Sequence, residues 1–248
     1  MPVVRGVRYD RATPHDPDTL GFLVLTNDRW NAKMSQVGVV VIRARISAIE
    51  QPHAVPLSSG GFAVVPRLVS LTPSPDPTSA MGATVGALPA AELAAVEDRL
   101  CEFLLMDQLL SATPRAQRPA AAPSPYPIWG EIYYAGASID GETKRFVVVS
   151  PNRWNAASGL ATAVRTTSRF KGTLDEFPLI TRGAARACCG DITTFQVGAF
   201  DLRRRHRPVP PTTALADMIS IAKGVAVTHE LGVALGRAGV TPPPDSLP

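Results

Sequence analysis

Between positions 165 and 172 the chain reads Arg165-Thr166-Thr167-Ser168-Arg169-Phe170-Lys171-Gly172. Cations interleaved with hydroxyls suit a phosphate-facing loop, because guanidinium and ammonium groups neutralise phosphate and hydroxyls bond its oxygens. Lys144-Arg145, just ahead of Phe146-Val147-Val148-Val149, and Arg203-Arg204-Arg205-His206-Arg207 are two further basic clusters. Each also has a plain reading, as solvated charge beside a strand or in a loop. Other chemistries find less support. His15, His53, His206 and His229 are scattered, Cys101 stands alone, and Cys188-Cys189 has no metal-ligand spacing. Neither a zinc site nor a disulfide framework is expected, and the thiols read as buried packing. No metal or cofactor is expected.

Charge is unevenly placed. Residues 1–124 carry 11 Lys/Arg and 11 Asp/Glu, whereas residues 125–248 carry 14 and 10, so the whole excess of +4 lies in the second half. An anionic partner would be met there. No apolar run approaches the ~20 residues of a membrane span. Met1-Pro2-Val3-Val4-Arg5 is unlike the start of a signal peptide, so a cytoplasmic protein is expected.

The elements that must position these groups are set by an internal repeat. Asn27-Asp28-Arg29-Trp30-Asn31-Ala32 returns as Pro151-Asn152-Arg153-Trp154-Asn155-Ala156, 124 positions later in a chain of 248. The same offset pairs Gly6 with Gly130, Tyr9 with Tyr133, Phe22 with Phe146, Val24 with Val148 and Val40 with Val164. Positions 6–40 hold eleven identities with their counterparts, where random pairing gives roughly two. A repeat this long means two domain-sized copies. Residues 1–113 form the first and 128–240 the second, and the proline-bearing stretch 114–127 links them.

Short, nearly continuous apolar runs, Phe22 to Leu25 and Val37 to Ile42, predict strands buried on both faces. Arg5 to Tyr9, Ala54 to Leu57 and Phe62 to Leu71 add further strands around the Gly60-Gly61 turn. A helix is predicted after Pro89, with Leu93, Val96, Leu100, Phe103 and Leu104 on one face. In the second copy Trp129 to Tyr134, Phe146 to Val149, Leu179-Ile180 and Asp191 to Val197 read as strands, and Ala214 to Ala226 as the closing helix. The expected class is therefore mainly β with C-terminal helices (α+β). The Arg-Trp-Asn-Ala segment, present in both copies, is expected to be structural, its indoles packing on their own domain and its asparagines fixing a turn.

Each copy resembles the MazF/PemK toxins of type II toxin–antitoxin systems. Gly130-Glu131-Ile132-Tyr133, Val147 to Ser150, Asn155 and Thr166-Thr167 carry the resemblance in the second copy. Arg5-Gly6, Tyr9, Asn31 and Gly86-Ala87-Leu88-Pro89-Ala90-Ala91-Glu92-Leu93 carry it in the first. The resemblance implies SH3-like β-barrels, paired here as an intramolecular pseudo-dimer in a monomeric chain. It implies metal-independent cleavage of single-stranded RNA, and an antitoxin as possible protein partner.

By the same resemblance, Thr167 falls on the family's catalytic threonine, Lys144 on its arginine and Arg145 on the following proline. Lys144 or Arg145 would stabilise charge on the phosphate, although neither stands as the expected arginine–proline pair, and lysine lacks the planar fork of arginine. Arg165, Ser168, Arg169, Lys171 and Arg153 would contact RNA. In the first copy Leu20 and Gly21 replace the cationic pair, and Arg43 stands where Thr167 does. That copy is expected to be degenerate, leaving one working half-site. The alternative is a catalytically inactive protein of this fold that binds an antitoxin or RNA without cutting it.

Overall fold

The computed structural model describes residues 3–11, 16–34, 36–73, 80–115, 124–135, 144–169, 176–179, 185–205 and 211–244. The side chains of residues 204, 205 and 211–213 fall outside this description, as do Lys171 and the His206-Arg207 end of the third basic cluster.

The first copy contains β1 (Val7–Arg11), β2 (Thr19–Val24), β3 (Val37–Arg43), β4 (Ala54–Pro56), β5 (Phe62–Leu71) and β6 (Met81–Ala87). The second contains β7 (Ile132–Ala135), β8 (Lys144–Val148), β9 (Leu160–Thr167), β10 (Glu176–Pro178), β11 (Arg186–Gln196) and β12 (Phe200–Arg205). Each set forms one six-stranded antiparallel sheet, in the orders β4-β5-β3-β2-β1-β6 and β10-β11-β9-β8-β7-β12. Element for element these are the same topology, so the chain is a mainly-β protein of two like domains. The repeat holds to single hydrogen bonds. Arg5 N–H donates to Asp28 Oδ1 at 2.7 Å and Trp129 N–H to Asn152 Oδ1 at 2.8 Å, each partner displaced by 124 positions. Gly6 and Gly130 share a left-handed φ, 74° and 77°, as the chain turns into its first strand.

The continuous apolar strands have a direct explanation. Along β2, Leu23 and Leu25 enter a large core that both domains share, while Phe22 and Val24 enter a second cluster with Tyr9, Val39 and Met81. Along β8, Val147 and Val149 enter the shared core, while Phe146 and Val148 join Tyr133 and Phe200. With apolar contacts on both faces, alternation of polar and apolar residues disappears.

Helices close the shared face. In α2 (Ala90–Phe103) Val96, Leu100 and Phe103 are buried, at the spacing of one helical face. Pro89 occupies the N-cap position. α3 (Met106–Leu109) follows through Leu105, whose φ of 56° is left-handed. In the second domain α5 (Pro211–Thr228) packs on β10 and β11, and α6 (Gly232–Arg237) crosses to α2. Among the described residues no helix is long and apolar enough to cross a membrane, no cluster of metal ligands occurs, and the buried Cys101, Cys188 and Cys189 form no disulfide.

Two short helices occupy the repeated segment, α1 (Asp28–Asn31) and α4 (Asn152–Ser158). Their asparagines fix the turn as expected. Thr26 Oγ1 and Ser150 Oγ donate to Asn31 and Asn155 Oδ1 and accept Gly38 N–H (3.2 Å) and Thr162 N–H (2.9 Å). The tryptophans depart from expectation by reaching across the seam. A Cβ on Gly190 would lie 2.3 Å from the Trp30 ring, and Trp154 makes edge-to-face contacts with His53 and Phe103 of the first domain.

Candidate functional site

The register of β8 and β9 decides which cation can act with Thr167. Arg145 pairs with Thr166 and Phe146 with Arg165, so one step further along the ladder Lys144 stands opposite Thr167. Phe146, Val148, Ala161 and Ala163 share one cluster, which places Lys144, Arg165 and Thr167 on that face by strand alternation. Arg145 and Thr166 lie on the other. Thr166 is buried and donates to the Arg145 carbonyl at 3.2 Å, which makes it a structural hydroxyl.

Lys144 is exposed, Thr167 is half-buried, and Ser168 and Arg169 are exposed at the strand end. The Thr167 hydroxyl accepts Arg169 N–H at 3.1 Å and donates to the Arg169 carbonyl at 3.2 Å, a bond it must exchange to donate to a phosphate oxygen. That turn fixes the hydroxyl at the rim of the sheet. Lys144 has no ion pair with any described residue. An ammonium and a hydroxyl side by side at an open strand end can hold two oxygens of one phosphate.

Two of the sequence-derived RNA contacts are placed otherwise. Arg165 is on the right face, but its Nε is ion-paired with Asp191. Its charge is compensated within the fold. Arg153 sits on α4, the helix that leads into Leu160 at the end of β9 opposite Thr167. Seven steps of strand at ~3.3 Å each, about 23 Å, separate Leu160 from Thr167. Lys171 lies outside the described residues. Of the third basic cluster, Arg203 is exposed on β12.

The equivalent corner of the first domain is closed. Arg43, at the Thr167 position, lies 3.5 Å from carboxylate oxygens of both Asp16 and Asp18 and 3.6 Å from one of Glu50. Arg67 bonds the other oxygen of Glu50 at 2.5 Å. Burial would raise the Glu50 carboxyl, but the Ser47 N–H and hydroxyl and Arg67 hold it below its ordinary value. The Asp18 N–H bond, with Thr19 and Arg43, likewise holds Asp16 down against its desolvation. The ladder also slips between Thr19 and Gly21. Leu20, at the Lys144 position, consequently packs against the shared core. Gly21 is required there, since a Cβ would lie 2.2 Å from the Tyr9 carbonyl. Among the described residues, Arg43, Arg45 and Arg67 at this corner are all paired with carboxylates. The Arg43–Asp16–Asp18–Glu50 knot was not read from sequence, although Asp16 and Asp18 flank a proline in an otherwise polar loop. The β2 slip carries no residue signal apart from Gly21.

No protein-family model and no curated protein matches the chain. Similar solved structures include an endoribonuclease from Mycobacterial species, 17% identical over 41% of this chain and 90% of that one, with a TM-score of 0.33. A second is an endoribonuclease in complex with its cognate antitoxin from Mycobacterial species, 16% identical over 40% of this chain and 92% of that one, TM-score 0.33. A third is MazE–MazF from Deinococcus radiodurans, 23% identical over 45% of this chain and 96% of that one, TM-score 0.31.

Proposed function

We propose that this protein is a MazF-type endoribonuclease that cleaves single-stranded RNA without a metal, using one half-site in the second domain, residues 128–240. The observation that carries this reading is the placement of Lys144 opposite Thr167 on one open face, where the equivalent corner of the first domain is closed by the Arg43 ion pairs and by Leu20. Thr167 would hold a non-bridging phosphate oxygen through its hydroxyl. Lys144 would stabilise the negative charge that grows as the 2′-oxygen, its proton passed to solvent water, attacks phosphorus and the 5′-oxygen leaves with a proton taken from water. Ser168 and Arg169 would grip the flanking backbone without reading sequence. The expected products carry 2′,3′-cyclic phosphate and 5′-hydroxyl ends.

The first domain, residues 1–113, supplies the other half of the seam and no chemistry. Covalent linkage keeps the two halves together at any protein concentration. A protein antitoxin is the partner this reading calls for.

The rival reading is a binding protein that holds RNA or an antitoxin without cutting. The Arg165–Asp191 pair favours it, because it removes one cation from the phosphate face. Incubating a long unstructured RNA with the purified protein in EDTA separates the two. Cleavage that Thr167→Ala suppresses supports the enzyme, and salt-sensitive binding of intact RNA supports the binding protein.

A further inference from the structure

The two repeated tryptophans end in different surroundings. Trp30 Nε1–H donates to the Gln36 carbonyl at 3.0 Å, and its ring covers the bare backbone of Gly190. That side of the seam is filled. On the other side Trp154 borders a cavity of about 330 Å³ between the domains, with His53 and Phe103 from the first and Arg153 and Ala157 from the second. This volume lies at the small end of the range that ligand pockets span, roughly 300–1,000 Å³.

His53, Phe103 and Trp154 meet edge to face, with ring centroids 5.3–5.6 Å apart. Phe103 is 1% exposed and Trp154 4%. Trp154 Nε1–H, although buried, has no acceptor in the structure. The carbonyl that corresponds to Gln36, that of Leu160, lies 3.3 Å from the Ser158 hydroxyl instead. The nitrogen itself is covered by the fold, so an occupant of the cavity supplies the missing acceptor only by shifting the indole ring that forms its wall. The rim is cationic on balance. Glu102 is bonded by Arg99 at 2.7 Å, which leaves the exposed Arg153 in excess. Burial, then Arg99 and Arg153, hold the His53 pKa below its ordinary value.

We propose that this seam cavity binds a small planar heteroaromatic anion of the mononucleotide class, its ring against His53, Phe103 and Trp154 and its phosphate at Arg153. A heteroaromatic ring supplies apolar contact to the aromatic walls and an edge acceptor for the indole N–H. The phosphate completes the match to Arg153. The ligand is either a free nucleotide or the phosphorylated end of an RNA strand. The site lies at the opposite end of β9 from Thr167 and does not depend on cleavage there.

The three tryptophans of the full chain give three indole N–H resonances, and that of Trp154 is identified by its loss in Trp154→Phe. Adenosine 5′-monophosphate should shift this one resonance, with Kd on the order of 1 mM or tighter. Arg153→Gln should weaken the nucleotide about tenfold and leave uncharged adenosine unchanged. Ala157→Trp, a substitution at an exposed wall of the cavity, should abolish binding in a folded protein. A 5′-phosphorylated trinucleotide that shifts the resonance at lower concentration identifies an RNA end. A response to the free nucleotide alone identifies a small-molecule site. A Trp154 resonance unmoved at about 10 mM nucleotide, or undiminished binding to Ala157→Trp, overturns the proposal. Equal affinity of the wild-type protein for adenosine and the nucleotide overturns the role of Arg153.

Discussion

Thr194 Oγ1 lies 2.7 Å from the Pro66 carbonyl across the seam, and Ser70 Oγ lies 3.4 Å from the Gly190 carbonyl in return. Ser70 and Thr194 are 124 positions apart, and so are Pro66 and Gly190. The contact is therefore isologous within a single chain, the arrangement of a two-fold dimer made covalent. β5 and β11 meet along it, and Thr162 joins it through Thr194 at 2.9 Å.

The two bonds are unequal, and so should be their loss. Thr194 Oγ1 also accepts Leu68 N–H at 3.1 Å. Thr194→Val leaves that donor and the Pro66 carbonyl short of partners and should cost about 1–3 kcal/mol. Ser70→Ala, which breaks only 3.4 Å contacts, should cost less. Urea unfolding of the two variants measures the difference, and a larger loss for Ser70→Ala would contradict the seam geometry.

The seam should weaken in mild acid through His229. Burial lowers its pKa from 6.5 to about 4, although its bond to the Val225 carbonyl opposes this. Between those values the unfolded chain binds the proton and the folded one does not, so stability is fully present above pH 6.5 and falls towards pH 4. Thermal unfolding at pH 7 and pH 5 should show a drop that His229→Gln reduces. Equal drops would show that another group titrates.

A separate acid transition belongs to the first domain. The Glu50 carboxyl is held below its ordinary 4.5, so its contribution is present above that pH and is lost as pH falls through the lowered value. Glu50→Gln should lower stability at pH 7 and flatten the decline below pH 4.5. Unfolding midpoints at pH 7, 4.5 and 3 test this, and parallel wild-type and variant curves would refute it.

As a pseudo-dimer, the protein should behave as a 26.3 kDa monomer. Light scattering across a wide concentration range measures this directly. An obligate dimer of chains, four domains in all, would contradict the pseudo-dimer.

The sequence was legible where both copies obey one rule. The 124-residue offset carries into the strand pairing, where Leu68 opposite Val40 becomes Ile192 opposite Val164. The doubly buried β2, β3 and β8 were readable as apolar runs, and α2 as a periodic face. β6 and β12 were missed. Met81–Ala87 is mostly small and part-exposed at an edge, and the run of arginines in β12 reads as charge before it reads as strand. β11 begins at Arg186, five residues before the predicted start, because Ala187-Cys188-Cys189-Gly190 shows no alternation. The candidate site was half legible. The resemblance to the MazF/PemK toxins selected Lys144, Arg145 and Thr167, but only the register separates Lys144 from Arg145. Nothing local announced that Asp191 pairs with Arg165, or that Arg153 lies at the far end of β9.

Lys144 and Arg145 lie on opposite faces of β8. RNA cleavage in EDTA by wild type, Thr167→Ala, Lys144→Ala and Arg145→Ala tests that placement in one experiment. The wild type should release 2′,3′-cyclic phosphate ends, and Thr167→Ala and Lys144→Ala should each slow cleavage about 10²-fold or more. Arg145→Ala, on the opposite face, should stay within about threefold, as expected for a charge that does not touch the scissile phosphate. RNA left intact by folded wild-type protein, or cleavage that survives Thr167→Ala, would contradict the proposed half-site.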